Sequence, residues 1–299
     1  MELGIIGLGK MGHNIGLNLR DKGYTVHGFD ISSEARQQAR GNQLTVHDTV
    51  ADLVSALKKK IIWVMLPVGD ITENMLNQLK DHLQSGDILI DGGNANFNDS
   101  VRRAKDFKEL GIHYLDIGTS GGISGARDGA CLMVGGEKAI FDQLEPLFLD
   151  LTGENAYLYA GGSGSGHFLK MVHNGVEYGM MQAIGEGFHL LSEREEYAFD
   201  LEAVARVWNN GSVIRGWLME LTENMFKESP RLEEYKDVVA ASGEGQWTVE
   251  TALQMNIGVP IIATSVMLRS MSQQEEVFSN KVLAGLRHQF GGHSFQKKI

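Results

Sequence analysis

The chain has 299 residues, 42% hydrophobic and 22% charged, and carries a formal charge of −11 at pH 7. That length and balance admit two domains with sizeable cores and exclude a disordered chain. The acidic balance argues against nonspecific nucleic-acid binding, the longest apolar run (61–66) falls far short of the roughly 20 residues of a membrane span, and no secretory leader pattern opens the chain, so the expectation is a cytoplasmic protein with a small-molecule partner.

The first predicted strand, Leu3-Gly4-Ile5-Ile6, runs directly into Gly7-Leu8-Gly9-Lys10-Met11-Gly12 and then a helical pattern through Leu17 and Leu19. This is G-x-G-x-x-G in the context a dinucleotide requires. Gly7 serves the tight turn, Gly9 lets backbone approach a pyrophosphate, and Gly12 allows close helix packing, while the helix start attracts phosphate. The second strand, Thr25–Phe29, ends in Asp30, 23 residues after Gly7, where a carboxylate can accept hydrogen bonds from the adenine ribose. Asp30 predicts NAD rather than NADP, because Ile31, Ser32 and Ser33 offer no arginine for a 2′-phosphate. Lys58, Lys59 and Lys60 read as a solvated helix end.

Further strands at 61–66 and 88–90 end in Pro67-Val68-Gly69 and Asp91-Gly92-Gly93-Asn94. Ligands bind at the carboxyl ends of strands in an open parallel sheet, so Met65, Pro67 and Asn94 are expected near the nicotinamide. Tyr114-Leu115-Asp116-Ile117 then leads into a segment, 118–126, containing Ser120, Gly121 and Gly122. Its glycines and hydroxyls make either a flexible loop or a cradle for carboxylate or phosphate oxygens. Cys131-Leu132-Met133-Val134 reads as a strand with the cysteine in the core; as the chain's one cysteine it excludes an intrachain disulfide, argues against a cysteine metal site and leaves redox chemistry to a cofactor. A helix over 139–148 completes the domain, and the glycine-rich stretch Gly161-Gly162-Ser163-Gly164-Ser165-Gly166 places a boundary near 160.

The helix that follows carries Lys170, His173, Asn174, Glu177 and Tyr178 at relative positions 0, 3, 4, 7 and 8, one face of a helix. Its other positions are apolar, the pattern of a helix surrounded by protein. The stripe is either an internally hydrogen-bonded polar seam or a catalytic wall with a base and an acid. The remaining residues have helical periodicity, with Pro230 and Pro260 at breaks and Glu193-Arg194-Glu195-Glu196 at a solvated helix end. The predicted architecture is an α/β Rossmann-type dinucleotide-binding domain (1–160) followed by an all-α helical domain (161–299), with NAD as cofactor and no metal.

With these residues assembled, the chain resembles the β-hydroxyacid dehydrogenase superfamily, and within it the short, NAD-preferring type of decarboxylating 6-phosphogluconate dehydrogenase. The most specific element is Gly166-His167-Phe168-Leu169-Lys170-Met171-Val172-His173-Asn174-Gly175-Val176-Glu177-Tyr178, since the wider superfamily shares the lysine and asparagine but not the glutamate and tyrosine. Asn94 in Gly-Gly-Asn, Ser120-Gly121-Gly122 and the tail Arg287-His288-Gln289-Phe290-Gly291-Gly292-His293 match further segments.

The resemblance implies oxidation of 6-phosphogluconate at C3, with Lys170 as base if its surroundings leave it neutral, and Glu177 as the acid that protonates C1. It also implies that His173, Asn174, Asn94, Ser120, Gly121 and Gly122 bind substrate, that Tyr178 and Arg269 meet its phosphate, and that Arg287 and His293 reach a neighbouring subunit's site in a homodimer or homotetramer. The chain departs from long NADP-using members at Ser242-Gly243-Glu244-Gly245-Gln246-Trp247, where they carry a lysine, and at Ala95, where serine is usual. The alternative enzyme is an NAD-dependent 3-hydroxyisobutyrate-type dehydrogenase, against which Glu177, Tyr178 and the tail argue; the non-enzymatic alternative is a nucleotide-sensing protein.

Overall fold

The computed structural model describes residues 1–274 and 277–291. Two compact units divide the chain, Met1–Asn174 and Gly175–Ile299. The first is built on an eight-stranded sheet. In chain order its elements are β1 (Glu2–Ile6), α1 (Lys10–Asp21), β2 (Thr25–Phe29), α2 (Ser33–Gly41), β3 (Thr45–Val46), α3 (Val50–Ala56), β4 (Ile61–Val64), α4 (Asp70–Lys80), β5 (Ile88–Asp91), α5 (Phe97–Glu109), β6 (His113–Ser120), α6 (Gly122–Asp128), β7 (Cys131–Gly136), α7 (Lys138–Thr152) and β8 (Tyr157–Gly161), followed by the start of α8 (Ser165–Ser192).

The strand order is β3-β2-β1-β4-β5-β6-β7-β8. Alternate strand residues face opposite sides and feed two cores. Leu3, Ile5, Trp63, Ile90 and Ile117 pack with α1 and α7 through Ile15, Leu19, Leu144 and Phe148; Ile6, Ile62, Val64 and Leu89 pack with α3, α4 and α5 through Leu53, Leu76 and Phe107. Burial on both faces explains why these strands are apolar runs rather than alternating patterns. The order reverses between β1 and β4, and a crevice for ligand opens outside strand carboxyl ends at such a switch point.

Several local expectations need correction. β3 and β8 lie at the two sheet edges and are absent from the sequence prediction; β3 has two residues, and β8 is an apolar run of four residues, Tyr157-Leu158-Tyr159-Ala160, that stays half-exposed and runs straight into the glycine-rich stretch. β7 runs antiparallel to β6, because the connection between them, 121–130, is shorter than the dozen or so residues of a parallel crossover. Cys131 is exposed, not buried, since it is the first residue of β7 and lies outside the covered part of the strand. The 118–126 segment is not one flexible loop: it is the end of β6, a turn at Gly121 and helix α6.

The second unit contains the rest of α8, a 3-10 turn (Glu195–Tyr197), α9 (Leu201–Gly211), α10 (Trp217–Glu228), α11 (Glu244–Gln254), α12 (Pro260–Ser272) and α13 (Phe278–Gly291). Phe188, Ala205, Met219 and Phe226 form its small buried cluster. No strand occurs among the described residues of this unit. The expectation that α8 is surrounded by protein fails in the isolated chain: Val176, Met180 and Met181 are 48%, 52% and 43% exposed. No helix among the described residues is long and apolar enough to cross a membrane.

Candidate active site

The glycine motif lies at the switch point, between the carboxyl ends of β1 and β4. Gly7 has φ +96°, and a Cβ there would come within 2.3 Å of the Met65 carbonyl oxygen. A Cβ on Gly12 would stand 2.0 Å from the Gly7 carbonyl oxygen, so both positions exclude a side chain. Gly9 differs: nothing lies within 4 Å of its hypothetical Cβ, and it heads α1 without a side-chain cap. Open space in front of uncapped amides at a helix start is a cradle into which a diphosphate fits. Lys10 is exposed and Met11 half-buried at that start.

Asp30 ties this loop to the end of β2. Its Oδ2 accepts from the Leu8 amide at 2.7 Å and its Oδ1 from the Ser32 amide at 2.8 Å, which fixes the carboxylate between the glycine loop and the start of α2. Sequence reasoning missed Arg36, one turn into α2. Its guanidinium donates to the Asp30 and Ile31 carbonyl oxygens at 2.7 and 3.0 Å, and to Asp48 at 3.2 Å. Arg40 pairs with the same Asp48 at 2.8 Å, so both nearby arginines are already engaged.

Met65 is half-buried and Pro67 exposed beyond β4. Exposed Asn94 follows Gly92 and Gly93, where a Cβ would collide with the Trp63 Nε1 (2.1 Å) and the Leu66 carbonyl oxygen (2.6 Å). Beneath this turn is a buried network. Asp91, 1% exposed, accepts from Arg103 Nη1 at 2.8 Å and the Tyr114 hydroxyl at 2.7 Å, while Arg103 also donates to Glu73 at 2.6 and 3.0 Å. Burial and then the Asp91 charge push the Tyr114 phenol well above its ordinary value.

At the end of β6, Gly121 and Gly122 have φ +109° and +60°, the left-handed region that glycine adopts without strain. Ser120 Oγ lies 3.2 Å from His173 Nε2, and His173 Nδ1 lies 3.0 Å from Asn174 Oδ1. Because the asparagine oxygen only accepts, Nδ1 is the donor in the second of these contacts. Lys170 and Asn174 are each 7% exposed. Lys170 packs on Gly118, whose missing side chain leaves the room: a Cβ there would be 2.3 Å from the Lys170 Cβ.

In the second unit, Glu177 is half-buried and Tyr178 is buried with the Arg269 guanidinium 3.5 Å above its ring. The Tyr178 hydroxyl is 3.5 Å from Ser242 Oγ, which donates to Glu244 Oε2 at 2.5 Å. Arg269 also donates to the Ala240 carbonyl oxygen at 3.1 Å. The resemblance sends Arg269 and Tyr178 to one phosphate, but with 91 positions between them no local pattern marks the stacking itself. Arg287 lies on α13; His293 falls outside the described residues. Among the described residues, no group of three or more His, Cys, Asp or Glu side chains is arranged to hold a metal ion.

Comparison with known proteins accounts for both halves of the chain. Residues 2–161 match the NAD binding domain of 6-phosphogluconate dehydrogenase, and residues 166–298 match the 6-phosphogluconate dehydrogenase C-terminal domain. The chain belongs to the 6-phosphogluconate dehydrogenase family. Within it, the Bacillus subtilis protein YqeC, whose name gives that activity only provisionally, is 50% identical over the full length of both chains. The NAD(+)-dependent, decarboxylating 6-phosphogluconate dehydrogenase of Haloferax volcanii is 46% identical over 100% of this chain and 99% of its own. The solved structure of Plasmodium falciparum 6-phosphogluconate dehydrogenase superposes with a TM-score of 0.82 at 29% identity; it covers all of this chain, which spans 66% of that longer one. The family's NAD-binding domain is therefore the sheet unit with its Gly7–Gly12 cradle, and NAD is the cofactor it is built to hold.

Proposed function

We propose that the chain catalyses the oxidative decarboxylation of 6-phosphogluconate to ribulose 5-phosphate and carbon dioxide with NAD, as a cytoplasmic enzyme of the pentose phosphate pathway and gluconate utilisation. The observation that carries this reading is the burial of Lys170 and Asn174 on the first turns of α8, beside the Ser120–His173 hydrogen bond. Asp30, with Arg36 and Arg40 both committed to Asp48, supports NAD over NADP.

NAD, when bound, accepts the hydride that leaves C3. Lys170 takes the proton of the C3 hydroxyl. The 3-keto acid so formed loses its neighbouring carboxylate because the ketone receives the electron pair as an enolate, and the protonated Lys170 beside that oxygen stabilises it. Glu177 then delivers a proton to C1 of this enolate, which restores the ketone as that of ribulose 5-phosphate. Asn94, Ser120, Gly121, Gly122, His173 and Asn174 orient the sugar acid, and Tyr178 and Arg269 bind its phosphate. Arg287 and His293 add cations to a neighbouring subunit's phosphate site, which answers the chain's net negative charge.

Homo-oligomerisation is supported by exposed apolar side chains in the second unit, among them Met180 and Met181 on α8, Met267 on α12 and Leu283 on α13. In this reading residues 1–160 bind cofactor and 161–299 bind substrate and assemble the oligomer. The test mixes purified protein with 6-phosphogluconate and either NAD or NADP, and follows reduced cofactor together with carbon dioxide. Equal yields of NADH and carbon dioxide are expected; oxidation of 3-hydroxyisobutyrate in place of 6-phosphogluconate would refute the substrate assignment.

A further inference from the structure

α8 begins against β6 in a repeating pattern. Asp116, Gly118 and Ser120 alternate along the strand and therefore face the same side of the sheet. Asp116 Oδ1 accepts from the Gly164 amide at 2.7 Å, and Oδ2 accepts from the His167 amide at 2.9 Å. Gly118 accommodates Lys170, and Ser120 meets His173. Two more glycines bring the backbones together: a Cβ on Gly166 would lie 2.3 Å from the Asp116 carbonyl oxygen, and one on Gly135 would lie 2.6 Å from the Gly166 amide.

The carboxylate that receives the amide just before α8 and the amide of its third residue thus comes from a strand 48 residues before Gly164, not from a neighbouring side chain. The distinction matters mechanically. A local cap stabilises a helix relative to itself, whereas a cap held by β6 fixes the helix relative to the sheet. Asp116 is completely buried, and desolvation raises its carboxyl's pKa, opposed by His167 and by the two amides. Keeping an acid in such a place needs a return, and the residue one turn beyond His167 is Lys170.

We propose that Asp116 is a positioning residue for Lys170, setting the axial position of α8 while Gly118 sets the depth at which the lysine side chain leaves it. The inference rests on the reading of Lys170 as the base. A displacement of about 1 Å in a reacting group costs about a hundredfold in rate, so small errors in this seating are read directly in turnover.

The experiment compares Lys170→Ala, Asp116→Asn and Gly118→Ala in the full-length protein, measuring kcat, KM for 6-phosphogluconate, NAD binding by fluorescence, and the isotope effect on kcat with substrate deuterated at C3. For Asp116→Asn and Gly118→Ala, kcat falls by about a hundredfold with NAD binding and KM retained, and the isotope effect rises because the chemical step is slowed. A merely structural role lowers thermal stability, or the fraction of active sites, with the isotope effect unchanged, and that result overturns the proposal. Should Asp116→Asn not fold, Asp116→Glu keeps the charge but lengthens the tether by one methylene, and it must show the same rise. Wild-type turnover in Lys170→Ala removes the functional reading and this inference together. An inactive Lys170→Ala beside fully active Asp116→Asn and Gly118→Ala removes this inference alone.

Discussion

Arg103→Ala should be among the most damaging substitutions outside the proposed catalytic residues. The Arg103 side chain is 3% exposed and joins Asp91 on β5 to Glu73 on α4. Without it Glu73 keeps Arg102 at 2.6 Å, but the carboxylate of Asp91, 1% exposed, keeps only the Tyr114 hydroxyl. Removing one partner of a buried ion pair costs about 3–5 kcal/mol, since the other charge stays buried and uncompensated. For a unit the size of Met1–Asn174, each kcal/mol lowers Tm by about 2–4 °C, so the melting temperature should fall by about 6–20 °C. Differential scanning calorimetry of wild type, Arg103→Ala and the double variant Arg103→Met with Asp91→Asn measures this. The double variant should recover much of the loss, because no net charge is then left buried at the pair. A loss below about 1 kcal/mol for Arg103→Ala would refute the reasoning and mean that water reaches Asp91 in solution.

Lys170→Ala should lower kcat by about 10²–10⁴, the usual contribution of a general base, while quenching of protein fluorescence by NAD is retained; undiminished turnover would exclude the lysine from its proposed role. Replacing Asp30 with Ser and Ser32 with Arg should lower kcat/KM for NAD by roughly ten- to a hundredfold, the value of one or two charge-assisted hydrogen bonds, and raise it for NADP. An unchanged cofactor ratio would mean that the ribose lies elsewhere. Burial pushes the Glu73 carboxyl up, but hydrogen bonds and charge from Arg102 and Arg103 outweigh it and hold the carboxyl below its ordinary 4.5. A folded-state value below the unfolded one contributes stability above pH 4.5 that is lost as pH falls through the folded value. Glu73→Gln should therefore lower Tm at neutral pH and flatten its decline in acid; parallel Tm curves for the two proteins would count against the ion pair.

The parts of this molecule that were legible in the sequence are those encoded locally. The strand–glycine–helix opening, Asp30 at the end of β2 and the Lys170 to Tyr178 stripe each declare themselves within about 30 residues. The two edge strands were not legible, because β3 is too short for periodicity and β8 is half-exposed. Nor were the polar connections. Asp91 with Arg103 and Tyr114, Asp116 with the start of α8, and Arg269 over Tyr178 join residues 12 to 91 positions apart, and nothing in either partner's neighbourhood marks it as paired. Apolar patterning identified α8 as a buried helix, yet in the isolated chain the polar stripe at Lys170, Asn174 and Tyr178 is better covered than Val176, Met180 and Met181. Periodicity reports which residues share a face, not which face is covered.

The reversal of β7 has a practical chemical consequence. Running antiparallel to β6, the strand begins opposite the place where β6 ends, and its register pairs Cys131 with Ser120. Directly opposed residues have Cβ atoms about 5 Å apart, so the chain's single exposed thiol stands next to the serine that meets His173. One alkylating probe can thus mark one defined position, and a fluorophore attached there would sense the arrival of an anionic ligand from beside the proposed substrate loop.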